Sequence, residues 1–421
     1  MTQVRRHAVV AGAGIGGLTA ALALHHSGWR VTVCERAPGP AAAGAGIVLA
    51  PNALRALDTI GFDAARAAGR AAPAAMGLRR PDGRWLSRAD TAALAARYGR
   101  PPLAVHRAAL VAALTAALPE GAVRYATPVT AVDHADTRPV VRTPAGDLPA
   151  DLVVAADGIH SPLRHRHFPD HPGLRYSGET AWRTVLPADG AAAAPAAGTA
   201  GTGAGATTAA SAGVLAGAAT ATAAETWGRG RRFGVVPLAD GRTYVYATAV
   251  VPEGHRPADV RAELLRRFGS WHDPIPALLE RIDPAALLQH DLHDLAAPLP
   301  RFHRGRLAWL GDAAHAMTPN LGQGGCQAVE DAAVLAHLLA GADHADVPAA
   351  LAAYSTARCA RTDAIRVRAR RAGRIAALTH PLAVAARDLA IRATPPRAAR
   401  RALDDLFDGF TLPGVPAGRT A

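Results

Sequence analysis

The chain has 421 residues, half of them hydrophobic, enough to bury two moderate cores, so two domains are the expectation. The formal net charge is +12, from 46 basic against 34 acidic residues, and arginine dominates the basic set. Aromatic content is 5% and no nucleic-acid-binding module is recognisable, which excludes nucleic acid as a partner and leaves solubility, with some steering of anionic small molecules, as the meaning of the charge.

The first strand is the short apolar run His7 to Ala11. It leads into Gly12-Ala13-Gly14-Ile15-Gly16-Gly17, a helix of apolar periodicity up to Gly28, and a second strand, Val31 to Val33, that ends at Glu35. In this context Gly12 permits the tight turn out of the strand. Gly14 lets a pyrophosphate approach the backbone, with Ile15 opening the helix, and Gly17 lets helix and strand pack closely. The free N–H groups of the helix start face the anion. Glu35 stands where it accepts hydrogen bonds from a ribose and disfavours a 2′-phosphate, so the tightly held nucleotide is expected to be FAD or NAD.

Arg36 follows, then a glycine-bearing segment through Gly44 and Gly46 to Pro51, and a short amphipathic helix ending near Gly61. Gly46 allows close approach of a bound group and reads equally as a turn before a helix. Met76 to Leu86 reads as a hairpin through Pro81-Asp82-Gly83. Arg107 opens the helix from Ala108 to Leu118, an unfavourable place for a cation unless it reaches toward an anionic ligand. After two pairs of short strands, Ala150 to Ala155 reads as a buried parallel strand. It ends in Asp157-Gly158, with Ser161 and Pro162 opening a helix that contains Arg164. Ligands of open α/β sheets lie beyond such strand ends.

From Tyr176 the pattern becomes antiparallel: Thr180 to Leu186, Phe233 to Leu238 and Tyr244 to Val250, with Asp240-Gly241 as a hairpin turn. Alternation puts Trp182 and Arg183 on opposite faces, so at most one points into a pocket; Arg183, Phe233 and Pro319 are the other pocket candidates. Residues 188–224 are almost only Ala, Gly and Thr, and read as an insertion with a weak helical tendency near 215–224. Helices are expected from His255 to Phe268 and from Pro274 to Arg281, and a strand from Leu287 to Leu295. The 18 histidines are scattered without metal-ligand spacing, so no metal site is expected.

A second decisive stretch runs from the strand Arg306 to Leu310 into Gly311-Asp312, on to Pro319, and then to the glycine-rich turn Gly322, Gly324, Gly325 at the head of a helix through Leu339. It offers another strand-end carboxylate and another set of N–H groups at a helix start. Arginine-rich helices follow, from Ser355 to Leu378, Leu382 to Thr394 and Pro396 to Phe407. Cys34, Cys326 and Cys359 are isolated, which fits a reducing cytoplasm. The early first strand leaves no room for a leader, and no stretch reads as membrane-spanning, so no stable membrane association is expected.

Three ordered motifs, Gly12/Gly14/Gly17 with Glu35, Asp157-Gly158 with Ser161 and Arg164, and Gly311-Asp312 with Pro319 and Gly322 to Gly325, make the chain resemble the group A FAD-dependent aromatic monooxygenases of the para-hydroxybenzoate and salicylate hydroxylase type, over roughly residues 5 to 375. The resemblance implies an α/β fold in which a Rossmann-like FAD-binding domain (1–175 with 296–345, containing a hairpin excursion at 76–104) carries an antiparallel-sheet substrate domain (176–295, α+β in style) and C-terminal helices (346–421). It implies that Glu35, with Arg36 nearby, binds the AMP ribose and that Arg107 lies near the ribityl–pyrophosphate part. Asp157 would serve FAD and NAD(P)H, Asp312 would hold the ribityl or pyrophosphate region, and Gly322, Gly324 and Gly325 would line the isoalloxazine.

The activity so implied is NAD(P)H-consuming hydroxylation of an aromatic or polyketide-like small molecule by O₂ through a flavin C4a-hydroperoxide, in a monomer or homodimer. Arg183 is the candidate orienting group for a phenolate or carboxylate. Epoxidation, Baeyer–Villiger chemistry, a flavoprotein reductase and, least, a non-enzymatic FAD-fold binding module stand as alternatives, and the Pro319 to Gly325 segment argues against the last. With FAD as resident nucleotide, Glu35 no longer discriminates NADH from NADPH.

Overall fold

A computed structural model describes residues 6–40, 45–68, 73, 75–188, 222–341 and 343–414. Most of the insertion read from the sequence, 189–221, and Gly44 lie outside the described residues.

The apolar runs form the centre of a six-stranded sheet in the order 303–304, 307–309, 152–155, 7–11, 30–34, 123–124. Its inner pairs are parallel, with Val9 opposite both Val153 and Thr32. Strands buried on both faces carry no inside–outside alternation, which is why they read as continuous Val/Ala/Leu runs. Asp151 precedes rather than joins the strand Leu152–Ala155, and its carboxylate accepts the His7 N–H at 2.8 Å.

The helix Ile15–His26 is sandwiched between this sheet and the helix Gly324–Leu339. Gly16 makes that approach possible, because a Cβ there would stand 2.8 Å from Leu310 Cδ1 and 2.9 Å from Ala328 Cβ.

A seven-stranded sheet runs 288–295, 174–186, 243–250, 231–237, 222–227, 75–79, 85–90. The hairpin at 75–90, which interrupts the nucleotide-binding half in sequence, thus extends the substrate sheet in space. It joins through the parallel pair Thr222–Trp227 and Ala75–Arg79, while the other pairs are antiparallel. Residues 222–224 are strand, so the helical tendency expected there gives way to pairing inside the sheet.

The helices Val260–Phe268 and Ile275–Glu280 cover one face of this sheet. The first of them starts at Val260, not His255, because Asp259 caps it by accepting the Ala262 N–H at 2.9 Å. Trp182 and Phe233 are buried under these helices with Phe268 and Trp271. Phe233 is therefore core and not a pocket residue; its register with Ala247, the partner of Trp182, fixes it on the helix-covered face.

A two-stranded sheet, Gly46–Leu49 with Leu103–His106, lies against the opposite face through Val48, Ala104, Tyr244 and Val236. The arginine-rich helix begins earlier than expected and runs Val347–Ala376, followed by Pro381–Arg392 and Pro396–Phe407. Among the described residues no helix is long and apolar enough to cross a membrane.

The glycine geometry makes a direct prediction. A Cβ at Gly17 would stand 2.0 Å from the backbone oxygen of Gly12, so Gly17→Ala is expected to destabilise the fold by about 1–3 kcal/mol. Gly14 has φ −74° and no atom within 4 Å of its Cβ position, so Gly14→Ala should leave stability of the cofactor-free protein unchanged; paired denaturant titrations check both.

Candidate active site

The loops that leave strands His7–Ala11, Leu152–Ala155 and Leu307–Trp309 emerge side by side at the carboxyl edge of the sheet. Gly12, at φ +106°, packs so tightly on the next loop that a Cβ would stand 2.4 Å from the Ala156 oxygen. Gly14 opens onto free space at the start of the helix Ile15–His26. Glu35 does local work as well: its carboxylate accepts the N–H groups of Ala13 and Ala37, each at 2.8 Å, and so sets the glycine turn.

In the second loop Gly158 adopts φ +83°, and Ser161 caps the helix Pro162–His167 by accepting the Arg164 N–H at 2.9 Å. Asp157 accepts the Leu163 N–H at 3.3 Å through Oδ2, while its Oδ1 is buried without a protein partner. Burial pushes the Asp157 pKa up, against the pull of Ser161 and the Leu163 N–H. Arg164 ties this loop to the third by donating to the carbonyls of Ile159 at 2.6 Å and Ala313 at 3.1 Å.

In the third loop Gly311 takes φ +59° and Asp312 begins a short helix with its side chain exposed. Pro319 starts a 3₁₀ turn that ends at Gly322, φ +63°, just before the helix Gly324–Leu339. Gly322 has no atom within 4 Å of its Cβ position, and Gly324 none nearer than 3.8 Å. Gly325 packs on Ile47 and would bring a Cβ to 2.9 Å from its Cδ1. Arg36 and Arg107 are exposed, and Arg107 N donates to the Ala45 carbonyl at 3.0 Å.

Beneath the third loop lies an ionic network that sequence reasoning missed. Asp331, fully buried, accepts from Gly311 N at 2.9 Å, His315 Nε2 at 2.6 Å and Arg358 Nε at 2.7 Å. Its neighbour Glu330 accepts from Asn52 Nδ2 at 2.7 Å, Arg358 Nη1 at 2.7 Å and Arg361 Nε at 2.8 Å. Burial opposes ionisation of Asp331, but His315 and Arg358 outweigh it and hold the carboxyl at about 2. Gln323 Nε2 and Asn52 Oδ1 remain buried without partners beside the glycine turn. The open glycine cradles, the helix starts and these orphaned polar atoms fit a dinucleotide that carries a polar ring system, as FAD does.

The second layer of the site is the face of the seven-stranded sheet turned away from its helices. Cross-strand register puts Arg183 opposite Tyr246, Tyr246 opposite Gly234, and Gly234 opposite Glu225. Gly234 makes room for the Tyr246 ring, whose Cζ would lie 2.1 Å from an added Cβ. Buried Arg232 bonds Glu179 at 3.0 Å, Glu225 at 3.3 Å and Thr248 Oγ1 at 3.1 Å. Arg183 is half-buried and makes no hydrogen bond or ion pair among the described residues.

Burial, with the charges of Arg183, Arg256 and Arg107, lowers the His290 pKa. The space released at Gly46 is filled by the Tyr244 ring, 2.5 Å from its Cβ position, and is not left for a ligand. Strand Gly46–Leu49 therefore separates the two layers, touching Gly325 through Ile47 and Tyr244 through Gly46. The period-2 placing of Tyr244 and Tyr246, and of Glu179 and Arg183, was the available signal for this polar face.

Residues 5–369 match the family described as FAD binding domain. That match takes in all three loops and the substrate sheet. The chain belongs to the group A FAD-dependent monooxygenases. The aurachin C monooxygenase/isomerase of Stigmatella aurantiaca is 37% identical over 84% of this chain and 85% of its own length. The 2-heptyl-3-hydroxy-4(1H)-quinolone synthase of Pseudomonas aeruginosa is 34% identical over 95% and 97%.

A Klebsiella pneumoniae enzyme solved with FAD and uric acid superimposes with TM-score 0.83 at 29% identity, covering 98% of both chains. A salicylate hydroxylase solved with substrate shares the fold, with TM-score 0.72 at 21% identity over 97% and 99%. FAD is the cofactor of this enzyme, and reduced nicotinamide and O₂ are the co-substrates its family consumes.

The Asp331 network carries a signed pH prediction. An aspartate held below its unfolded value of about 3.9 stabilises the fold fully above about pH 4 and loses that contribution as the pH falls toward about 2. Asp331→Ala removes one of the two carboxylates bonded to buried Arg358 and should cost about 3–5 kcal/mol at neutral pH while flattening the acid limb. Denaturant midpoints measured from pH 6 down to pH 3 on both proteins check this.

Proposed function

We propose that this enzyme hydroxylates a small planar heteroaromatic molecule bearing an acidic O–H or N–H, in the cleft between the glycine cradles and the polar face of the seven-stranded sheet. The observation that carries the reading is Arg183. Its guanidinium has no partner among the described residues and stands opposite Tyr246, one thin strand away from Gly325. A free, partly desolvated cation at that place favours the deprotonated, electron-rich form of a bound phenol or enol-amide, the form that an electrophilic oxygen attacks. Relatives named for urate hydroxylation and for 3-hydroxyquinolone synthesis support the substrate class.

The division of labour follows the sheets. The six-stranded sheet and its loops hold the cofactor, the seven-stranded sheet, hairpin 75–90 included, covers the substrate, and the helices Val347–Ala376, Pro381–Arg392 and Pro396–Phe407 brace the pair. Gly12, Gly14, Ile15 and Gly17 receive the pyrophosphate, Glu35 and Arg36 the adenosine ribose, and Arg107 and Asp312 the ribityl chain. Asp157 serves the cofactor and visiting NAD(P)H, while Pro319, Gly322, Gly324 and Gly325 bound the ring. When bound, FAD carries electrons from NADH or NADPH to O₂ and delivers one oxygen atom to the substrate. The protein's own contribution is to hold the substrate ring, to stabilise its anion through Arg183, and to keep water out with Tyr244, Val236 and Val48. With three free thiols, two of them buried, we place the enzyme in the cytoplasm.

Turnover of candidate quinolones and purines under ¹⁸O₂ should put one labelled oxygen into the product per NAD(P)H consumed. A reduced, unlabelled product would instead establish a reductase. Arg183→Ala should retain FAD and lose about tenfold to a hundredfold in kcat/KM, the worth of one hydrogen bond to a charged group. Asp312→Ala should weaken FAD binding about tenfold or more, read by fluorescence titration of the cofactor-free protein.

A further inference from the structure

The helix Pro381–Arg392 is inside out. An amphipathic surface helix turns its apolar stripe to the core. Here the buried residues are Arg387 and Asp388, while Leu382 is 75% and Leu389 68% exposed. The arrangement is locked by bonds: Arg387 pairs with Asp388 at 2.7 Å, donates to the carbonyls of Gly228 at 3.2 Å and Ala376 at 3.4 Å, and packs on the Trp227 ring. Leu382 and Leu389, seven residues apart, share one stripe of the helix.

The other two large hydrophobic side chains exposed among the described residues, Ile375 and Val250, belong to the same place. Ile375 lies in the last turn of the preceding helix. Val250 is reached through Gly230, whose N–H donates to the Leu378 carbonyl at 2.8 Å and whose Cβ position is 2.7 Å from Thr379 Cγ2 and 3.5 Å from Val250 Cγ2. Ile375, Val250 and Leu382 therefore lie close to the turn at 377–380, and Leu389 continues the stripe two turns further along the helix.

The rim of this patch is cationic. Arg371, Arg374 and Arg392 are exposed and form no ion pair among the described residues. Between 371 and 392 the one carboxylate is Asp388, which is buried against Arg387 with Arg80 at 3.8 Å. A second copy related by a two-fold axis would bring these arginines against one another. An anionic lipid surface neutralises them while taking up the leucines, the pattern of an interfacial helix.

We propose that this helix and the turn before it dock the enzyme, reversibly and without crossing the bilayer, on anionic lipid surfaces. The leucines enter the boundary between headgroups and acyl chains, and the arginines lie at headgroup level.

The test is co-sedimentation of the full-length, FAD-loaded enzyme with vesicles of phosphatidylcholine alone and of an equal mixture of phosphatidylcholine and phosphatidylglycerol. Binding is expected to the mixed vesicles and to weaken as salt is raised. Each of Arg371→Gln, Arg374→Gln and Arg392→Gln should lower the partition coefficient about fivefold. Leu382→Ala with Leu389→Ala should lower it about tenfold. Retained flavin absorbance and unfolding temperature confirm that the variants fold, since none of these side chains lies in the site. Equal affinity for both vesicle types, or variants that bind like the parent, would overturn the proposal. So would a vesicle-free dimer, seen by sedimentation equilibrium, that the leucine variant dissociates, because the patch would then belong to a second copy.

Discussion

The interior carboxylates Glu330 and Asp331 are the point on which the rest of the structure depends. Two adjacent charges fully removed from water are tolerated only because every oxygen is bonded, and the named donors come from three separate segments: Asn52, the turn that carries Gly311 and His315, and the long helix that carries Arg358 and Arg361. The pair sits on the helix whose first turn is the glycine cradle Gly324-Gly325. Any tilt of that helix breaks ionic bonds on its far side. The cradle is thus positioned by electrostatics at the back of the helix and left bare at its front, where a ligand can use its N–H groups.

The two layers of the site are joined by small contacts between rigid parts. Gly46 meets the Tyr244 ring, Gly325 meets Ile47, and Gly16 lets two helices touch. At each, the missing Cβ sets a separation between layers that a methyl group would increase. The distance between the glycine cradle and the seven-stranded sheet is therefore fixed by side-chain absence on one side and an aromatic ring on the other. Polar residues on the sheet, Arg183 and the Arg232 cluster, give that side of the gap its charge.

Much of this was legible in the sequence because the decisive geometry is local. A strand, a glycine turn and a helix N-terminus are encoded within a dozen neighbouring residues, and the turns at Gly12, Gly158 and Gly311 adopt the positive φ that such turns need. What was not legible depends on remote partners. Alternation correctly separates Trp182 from Arg183, yet nothing in strand Arg231–Pro237 says which face the helices cover, so Phe233 reads as a pocket residue and is core. The parallel joint between Thr222–Trp227 and Ala75–Arg79 brings together segments far apart in the chain. Arginines read as surface charge because burial of a guanidinium requires acceptors that only the folded chain assembles, as at Arg164, Arg232, Arg358 and Arg387.

Those interior cations share a further property. The chain contains no lysine, and all 46 basic residues are arginine. A guanidinium keeps its proton to pH values beyond about 12, whereas a buried ammonium gives it up readily. The cationic half of every internal arginine–carboxylate pair is therefore permanent, and titration can loosen those pairs only from the acid side. Acetylation, and any other chemistry aimed at side-chain amines, has nothing here to act on.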